Sequence, residues 1–157
     1  MFGKLGNIQI EELLNKQVIG RLGCHADGLT YVVPISFAYD GEYIYGHTQE
    51  GMKLDLMRKN PNLCFEVDDM LDMANWKSVI TWGVFEELKE SPDRNKALKN
   101  LIGRILPLIS SETTHLSPQW PFPSNDLENI EGVVFRIRLT EKSGRYEYNT
   151  SAALFAG

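Results

Sequence analysis

The segment Gly46-His47-Thr48-Gln49-Glu50-Gly51-Met52-Lys53-Leu54 sets a hydroxyl, a glycine and a lysine at the junction between a strand pattern and a helix pattern. Free amides at a helix N-terminus attract anions, Gly51 permits close backbone approach, and Thr48 and Lys53 add a hydroxyl donor and a cation. That chemistry is a phosphate cradle. A first-turn lysine is unfavourable beside the positive end of a helix dipole by ~0.3–1 kcal/mol unless an anion neutralises both. Glu50 and Asp55 soften this argument, and an ordinary capped helix start with a solvated lysine is the plain alternative. The spacing is not that of a P-loop, because Met52 separates Gly51 from Lys53 and Leu54 follows. No dinucleotide GxGxxG occurs either.

The remaining polar candidates each have a structural alternative. His47 is a candidate proton donor, although a lone strand histidine is more often simply hydrogen-bonded. His25 falls in an expected turn. Cys24 and Cys64 read as buried reduced thiols, and neither they nor His25 show paired metal-ligand spacing, so no metal site is expected. Trp76, Trp82 and Trp120 read as core or interface aromatics before stacking platforms. Glu66, Asp68, Asp69 and Asp72 read as a solvated rim, with Arg136, Arg138 and Arg145 as partners for these acids across an interface or for an anionic substrate.

The elements that position these residues are mostly strands. Asn7 caps an expected helix to about Lys16, with Ile10, Leu13 and Leu14 on one face. Strand runs follow at Val18 to Cys24, Leu29 to Tyr39 and Glu42 to His47, with hairpin signals at Asp27-Gly28 and Asp40-Gly41. A short helix spans Gly51 to Asn60 with Met52, Leu56 and Met57 as its apolar stripe, ended by Pro61. Strands near Asn62 to Asp69 and Lys77 to Leu88 precede a helix from the Ser91-Pro92-Asp93 start to about Leu106, stopped by Pro107. Ser110 to Asn125, with Pro118, Pro121, Pro123, Trp120, Phe122 and His115, reads as a long irregular segment. A last strand runs from Glu131 to Leu139. Six β segments with few helices and no βαβ rhythm predict a mainly β fold, a six-stranded antiparallel barrel with a few flanking helices.

The chain has 157 residues and a formal net charge of −5, with no run of Lys or Arg. One domain over residues 1–157 is expected, large enough to bury roughly 70% of its unfolded surface. The charge argues against nucleic acid and anionic membrane partners. With no apolar leader and no membrane-length window, a cytoplasmic protein is expected.

Three segments, YVVPISFAYDGEYIYGHT, HTQEGMKLDLMRKNPNLCFEVD and WKSVITWGVFEEL, together resemble the flavin-binding split barrels of the pyridoxamine 5′-phosphate oxidase-like superfamily, nitroimidazole-resistance-like branch. The resemblance implies a split barrel that forms a homodimer with FMN, or alternatively FAD, at the subunit interface. It implies phosphate binding by Thr48 and Lys53, flavin-ring contacts from Val33, Pro34, Ile35 and Ser36, an approach to the flavin by Ser78 and Val79, and a place for His47 beside the flavin. The oxidases carry an Arg-Lys pair where this chain has Lys53 and Leu54. The tail Gly144-Arg145-Tyr146-Glu147-Tyr148-Asn149 lacks their substrate-gripping signature, which disfavours pyridoxamine oxidation. The implied activity is a flavin-dependent oxidoreductase reducing a small electron-poor aromatic compound, such as a nitro compound. A haem-binding or haem-degrading split barrel and a non-enzymatic flavin carrier or sensor are the alternatives.

Overall fold

Turn chemistry and strand alternation build most of the architecture. The computed structural model describes residues 1–90, 92–105 and 130–149. The described elements are β1 (Phe2–Lys4), α1 (Asn7–Lys16), β2 (Ile19–Ala26), β3 (Leu29–Ser36), β4 (Ala38–Tyr39), β5 (Tyr43–Thr48), α2 (Met52–Lys59), β6 (Asn62–Asp72), β7 (Asn75–Leu88), α3 (Asp93–Ile105) and β8 (Val133–Glu147). The strands pair antiparallel in the order β3-β2-β6-β7-β8-β5-β4, with β1 added on β8. This is a mainly β split barrel, as expected.

The strand count rises from the six expected to 8 among the described residues. One addition comes from the run Leu29 to Tyr39, which breaks at Phe37. There the backbone leaves the ladder, Phe37 N donates to Val18 O at 3.0 Å, and the ring is fully buried. The other is β1, whose 3 residues are too few to show any period. The final strand also runs past the expected Leu139. Its polar continuation stays paired to β7 through a bulge near Trp82 and Gly83 and is flanked by β1, so pairing overrides composition.

Asp27 and Gly28 both have positive φ, 52° and 76°, which gives the two-residue hairpin turn whose twist matches the flanking strands. At the next turn Asp40 accepts hydrogen bonds from the amides of Glu42 at 2.9 Å and Tyr43 at 2.8 Å. Helix α1 buries Ile10, Leu13 and Leu14 as expected, but Gly6 rather than Asn7 is its N-cap, with Gly6 N donating to Gln9 Oε1. Tyr39 ties this helix to the barrel by donating its hydroxyl to Glu11 at 2.6 Å. Helix α2 buries Leu54, Leu56 and Met57, whereas Met52, expected in the stripe, is 55% exposed because it occupies the first, outward-turned position.

One core cluster fills the barrel beneath α1 and α2, and a second, including Tyr45, Leu98, Leu101 and Val134, lies under α3. The expected cap at Ser91, the helix stop at Leu106 and Pro107, and the segment with His115 and Trp120 lie outside the described residues.

Candidate functional site

Strand β5 hands the chain to α2 through Thr48 and Gly51. Alternation along β5 turns Ile44 and Thr48 one way, while Tyr43, Tyr45 and His47 face the cluster beneath α3. Thr48 is buried, and its hydroxyl donates to Gln49 O at 3.1 Å. The first helical bond of α2 runs from Asp55 N to Gly51 O, so the amides of Met52, Lys53 and Leu54 have no acceptor within the helix. A Cβ on Gly51 would meet nothing within 4 Å, leaving room for a ligand over that N-terminus.

Lys53, the second residue of α2, is half-buried, and among the described residues no carboxylate lies within ion-pair distance of it. Burial lowers its pKa below the usual lysine value, and the nearest opposing influence is the Cys24 thiol. Glu50, which would oppose an anion here, is held by Arg58, whose Nη1 and Nη2 reach its two oxygens at 2.8 and 3.1 Å. Arg58 also binds Glu87 at 2.7 Å. The junction therefore offers unbonded amides and an unneutralised ammonium, and the Thr48 hydroxyl joins them as a donor once it turns from Gln49 O. Those donors fit a phosphate monoester. The Arg58 contact was not anticipated, because its partners lie 8 and 29 residues away.

Edge strand β3 carries the next group of expected residues. Val33 and Ile35 point into the core and Pro34 and Ser36 point out, so their side chains do not share a face. Pro34 and Ser36 turn their backbone groups to the strand edge away from β2, where a proline costs no ladder bond, whereas Val33 and Ile35 turn theirs toward β2. Tyr31 pairs with Cys24, next to Lys53, and five residues on Ser36 pairs with Ile19. At ~3.3 Å per residue that span is roughly 16 Å, enough to lay out a ribityl chain and a flat ring system beyond a phosphate.

Ser78 and Val79 are split in the same way. Val79 is fully buried, whereas Ser78 faces outward and donates to Glu66 Oε1 at 3.0 Å. Continuing the β2–β6 register by two residues sets Ser36 and Ser78 level across the sheet.

His47 lies on the opposite face of β5 from Thr48. Its Nε2 meets the carbonyl of Glu131, and burial lowers its pKa, so the ring is neutral near pH 7 and donates Nε2–H to that carbonyl. Beside it Arg94 donates to Ile130 O at 2.6 Å. Together they clamp the chain at Gly132, whose φ of 92° and closeness to His47 exclude a side chain. Arg94 gave no signal in the sequence, since its role depends on a segment 36 residues away.

Cys24 is buried and Cys64 half-buried, both as free thiols. Trp82 is 39% exposed rather than core, because it sits on the outward face of β7. Trp76 donates to Glu147 at 3.1 Å. His25 is exposed on β2 rather than in the turn. The rim acids find local partners, Asp69 with Lys16 at 2.6 Å and Asp68 with Arg21 at 3.2 Å. Arg136 and Arg138 pair with Glu86 instead, because β8 lies directly against β7. Among the described residues no group of three His, Cys, Asp or Glu side chains is placed to hold a metal, and no helix is long and apolar enough to cross a membrane.

Comparison with known proteins returns the same frame. The family model described as pyridoxamine 5′-phosphate oxidase matches residues 7–146. A FAD-binding protein of Mesorhizobium loti superposes with a TM-score of 0.75 at 27% identity, covering 94% of this chain and 99% of its own. A structure from Bacteroides thetaiotaomicron, described as a candidate 5-nitroimidazole antibiotic resistance protein, superposes at 0.71 with 17% identity, covering 93% of this chain and 87% of its own. An uncharacterised protein of Rhizobium meliloti is 36% identical over 70 residues, 45% of this chain and 46% of that relative, so the match spans less than half its length.

Proposed function

The chain belongs to the pyridoxamine 5′-phosphate oxidase family, and on that premise we propose that it is a flavin-dependent oxidoreductase which binds FMN, with FAD as the longer alternative. The observation that carries the reading is Lys53, a half-buried ammonium without a carboxylate partner among the described residues, set at the open N-terminus of α2. Thr48, Lys53 and the first amides of α2 hold the phosphate. The edge of β3 from Val33 to Ser36 runs beside the ring, while Ser78 is level with Ser36 but three strands across the sheet from that edge. When bound, flavin supplies the electron transfer. The chain's own residues anchor the phosphate, orient the ring and limit solvent access. The proposed substrate class is a small electron-poor aromatic compound, such as a nitro compound, following the nitroimidazole-resistance-like branch.

The whole chain, residues 1–157, is taken as one flavin-binding unit that works as a homodimer. The outward face of the sheet supports this pairing. Val32 is 65% exposed, Ile19 53%, Ile80 40% and Trp82 39%, apolar side chains on β3, β2 and β7 that flank the Arg21, Glu66 and Asp68 charges of the same face and that a second copy would cover. His47 serves this site by fixing the start of β8 rather than as a proton donor.

An absorbance spectrum of the purified protein, repeated after incubation with FMN and desalting, tests the reading. Retained flavin bands are expected. A protein colourless in both samples would overturn it, and a Soret band would favour a haem-binding split barrel. Turnover of a nitroaromatic with a nicotinamide donor then separates a reductase from a flavin carrier.

A further inference from the structure

Resting on the flavin reading above, we propose that Arg145 of the partner subunit completes each flavin site and selects electron-poor aromatic substrates that carry a carboxylate. Arg145 faces outward from β8, because it pairs with Ser78, which faces outward from β7. It is exposed, and among the described residues its side chain has no ion-pair or hydrogen-bond partner. By contrast Arg21 is held by Asp68 at 3.2 Å, and Arg136 and Arg138 by Glu86 at 3.0 and 3.3 Å. Arg145 is therefore the arginine of this face whose donors are unspent among the described residues.

The registers set Arg145, Ser78, Asp68, Ile19 and Ser36 in one row across β8, β7, β6, β2 and β3. Ser36 marks the ring end of the β3 edge. Four strand spacings of ~4.8 Å put Arg145 roughly 19 Å from that edge, too far to serve the flavin of its own chain.

A second copy changes this, because a two-fold interface must be self-complementary. Strand β6 is the middle of the five strands β3-β2-β6-β7-β8. Its Glu66 and Asp68 form a charged belt with Arg21. Apolar side chains lie beyond the belt on both sides. Val32 and Trp82 are toward one end, and Met70, opposite Trp76, and Phe2, against the Trp76 ring, are toward the other, 63% and 66% exposed. A two-fold axis through the belt lays each apolar end on the opposite end of the other copy. The same rotation exchanges β3 and β8, the outer strands of the five, and brings Arg145 of the partner subunit over Pro34 and Ser36. There its planar fork of donors matches a carboxylate on the substrate. The flavin phosphate is not its ligand, since Lys53 lies toward the Tyr31 end of the same edge.

The test titrates the FMN-loaded protein with 4-nitrobenzoate, read as a perturbation of the flavin absorbance, with 4-nitrobenzamide as an uncharged control. Saturable 4-nitrobenzoate binding is expected, weakened about tenfold or more by Arg145→Gln, with 4-nitrobenzamide binding and FMN retention unchanged. A mixed dimer of one Arg145→Gln chain and one Lys53→Met chain decides whose flavin the arginine serves. One of its two sites then has Lys53 together with Arg145 of the partner subunit, and that site should bind 4-nitrobenzoate as tightly as wild type. Wild-type affinity in Arg145→Gln, no 4-nitrobenzoate binding to a wild type that retains FMN, or no restored site in the mixed dimer would each overturn the proposal. A wild type that retains no FMN would overturn the flavin reading itself, and this inference with it.

Discussion

Replacing Lys53 with methionine should have opposite effects on cofactor affinity and on the stability of the flavin-free protein. The substitution keeps most of the side chain's length and removes the charge. A hydrogen bond to a charged group contributes ~1.5–3 kcal/mol, which corresponds to a roughly 10- to 150-fold loss of FMN affinity. Half burial limits water screening at Lys53 and favours the upper part of that range, while the amides of Met52 to Leu54 and Thr48 retain part of the phosphate binding.

In the free protein the same ammonium carries an unrepaid desolvation cost, seen in its pKa, which burial holds below 10.5. Between that lowered value and 10.5 the unfolded chain binds the proton more tightly than the folded one. Stability therefore rises with pH through this window, and below it the penalty is present in full. Lys53→Met should abolish that rise and raise the melting temperature of the flavin-free protein at neutral pH. FMN fluorescence quenching reads the affinity, and thermal unfolding at neutral and alkaline pH reads the stability. Unchanged FMN affinity would remove the cradle, and a lower melting temperature at neutral pH would show that the ammonium has a stabilising partner.

Three further outcomes are expected. Arg58→Gln should weaken FMN binding by about two- to fivefold, the small effect of an exposed ion pair, by releasing Glu50 at the mouth of the cradle. The added change Glu50→Gln should restore affinity in the same titration, and failure to do so would make the Arg58 contribution purely structural. Trp82→Glu combined with Ile80→Glu should convert a dimer to monomers in sedimentation velocity, and an unchanged mass would assign the apolar face another role. His47 has a folded-state pKa below 6.5, so its contribution is complete above pH 6.5 and is lost as pH falls toward the lowered value. His47→Gln should flatten that part of the stability profile, and a profile identical to wild type would place the acid sensitivity elsewhere.

The legible parts of the fold are those set by local rules. Asp27-Gly28 demands positive φ at consecutive residues and therefore a hairpin, and α1 shows its buried face in the spacing of Ile10, Leu13 and Leu14. The parts that were not legible depend on distant partners. β1 exists because β8 offers it an edge, and the polar stretch after Leu139 is a strand because β7 continues beside it. The break at Phe37 is set by a buried ring and a bond to Val18, neither of which leaves a mark on the run Leu29 to Tyr39. The place of Thr48 and Lys53 at the junction of β5 and α2 was legible because local residues mark a helix start. Arg58 closing on Glu50, Arg94 on Ile130 and Arg104 on the end of α1 were not, because each joins elements distant in sequence.

Alternation also constrains how a ligand can use the residues singled out along the strands. Val33 and Ile35 face the core while Pro34 and Ser36 face out, and Val79 is buried beside an outward Ser78. A flat molecule laid on one face of the sheet would meet only half of each set. A molecule running along the free edge of β3 meets the backbone groups of Pro34 and Ser36, because Phe37 N bonds to Val18 O on the β2 side and alternate residues face opposite edges. It also reaches Lys53 at one end and the level of Ser78 at the other. The edge lies beside the outward apolar face, so a second copy covering that face would close over the same ligand. Side-chain substitutions at Val33 or Ile35 should then act through packing, and the contact itself should be sensitive to changes that displace the β3 backbone.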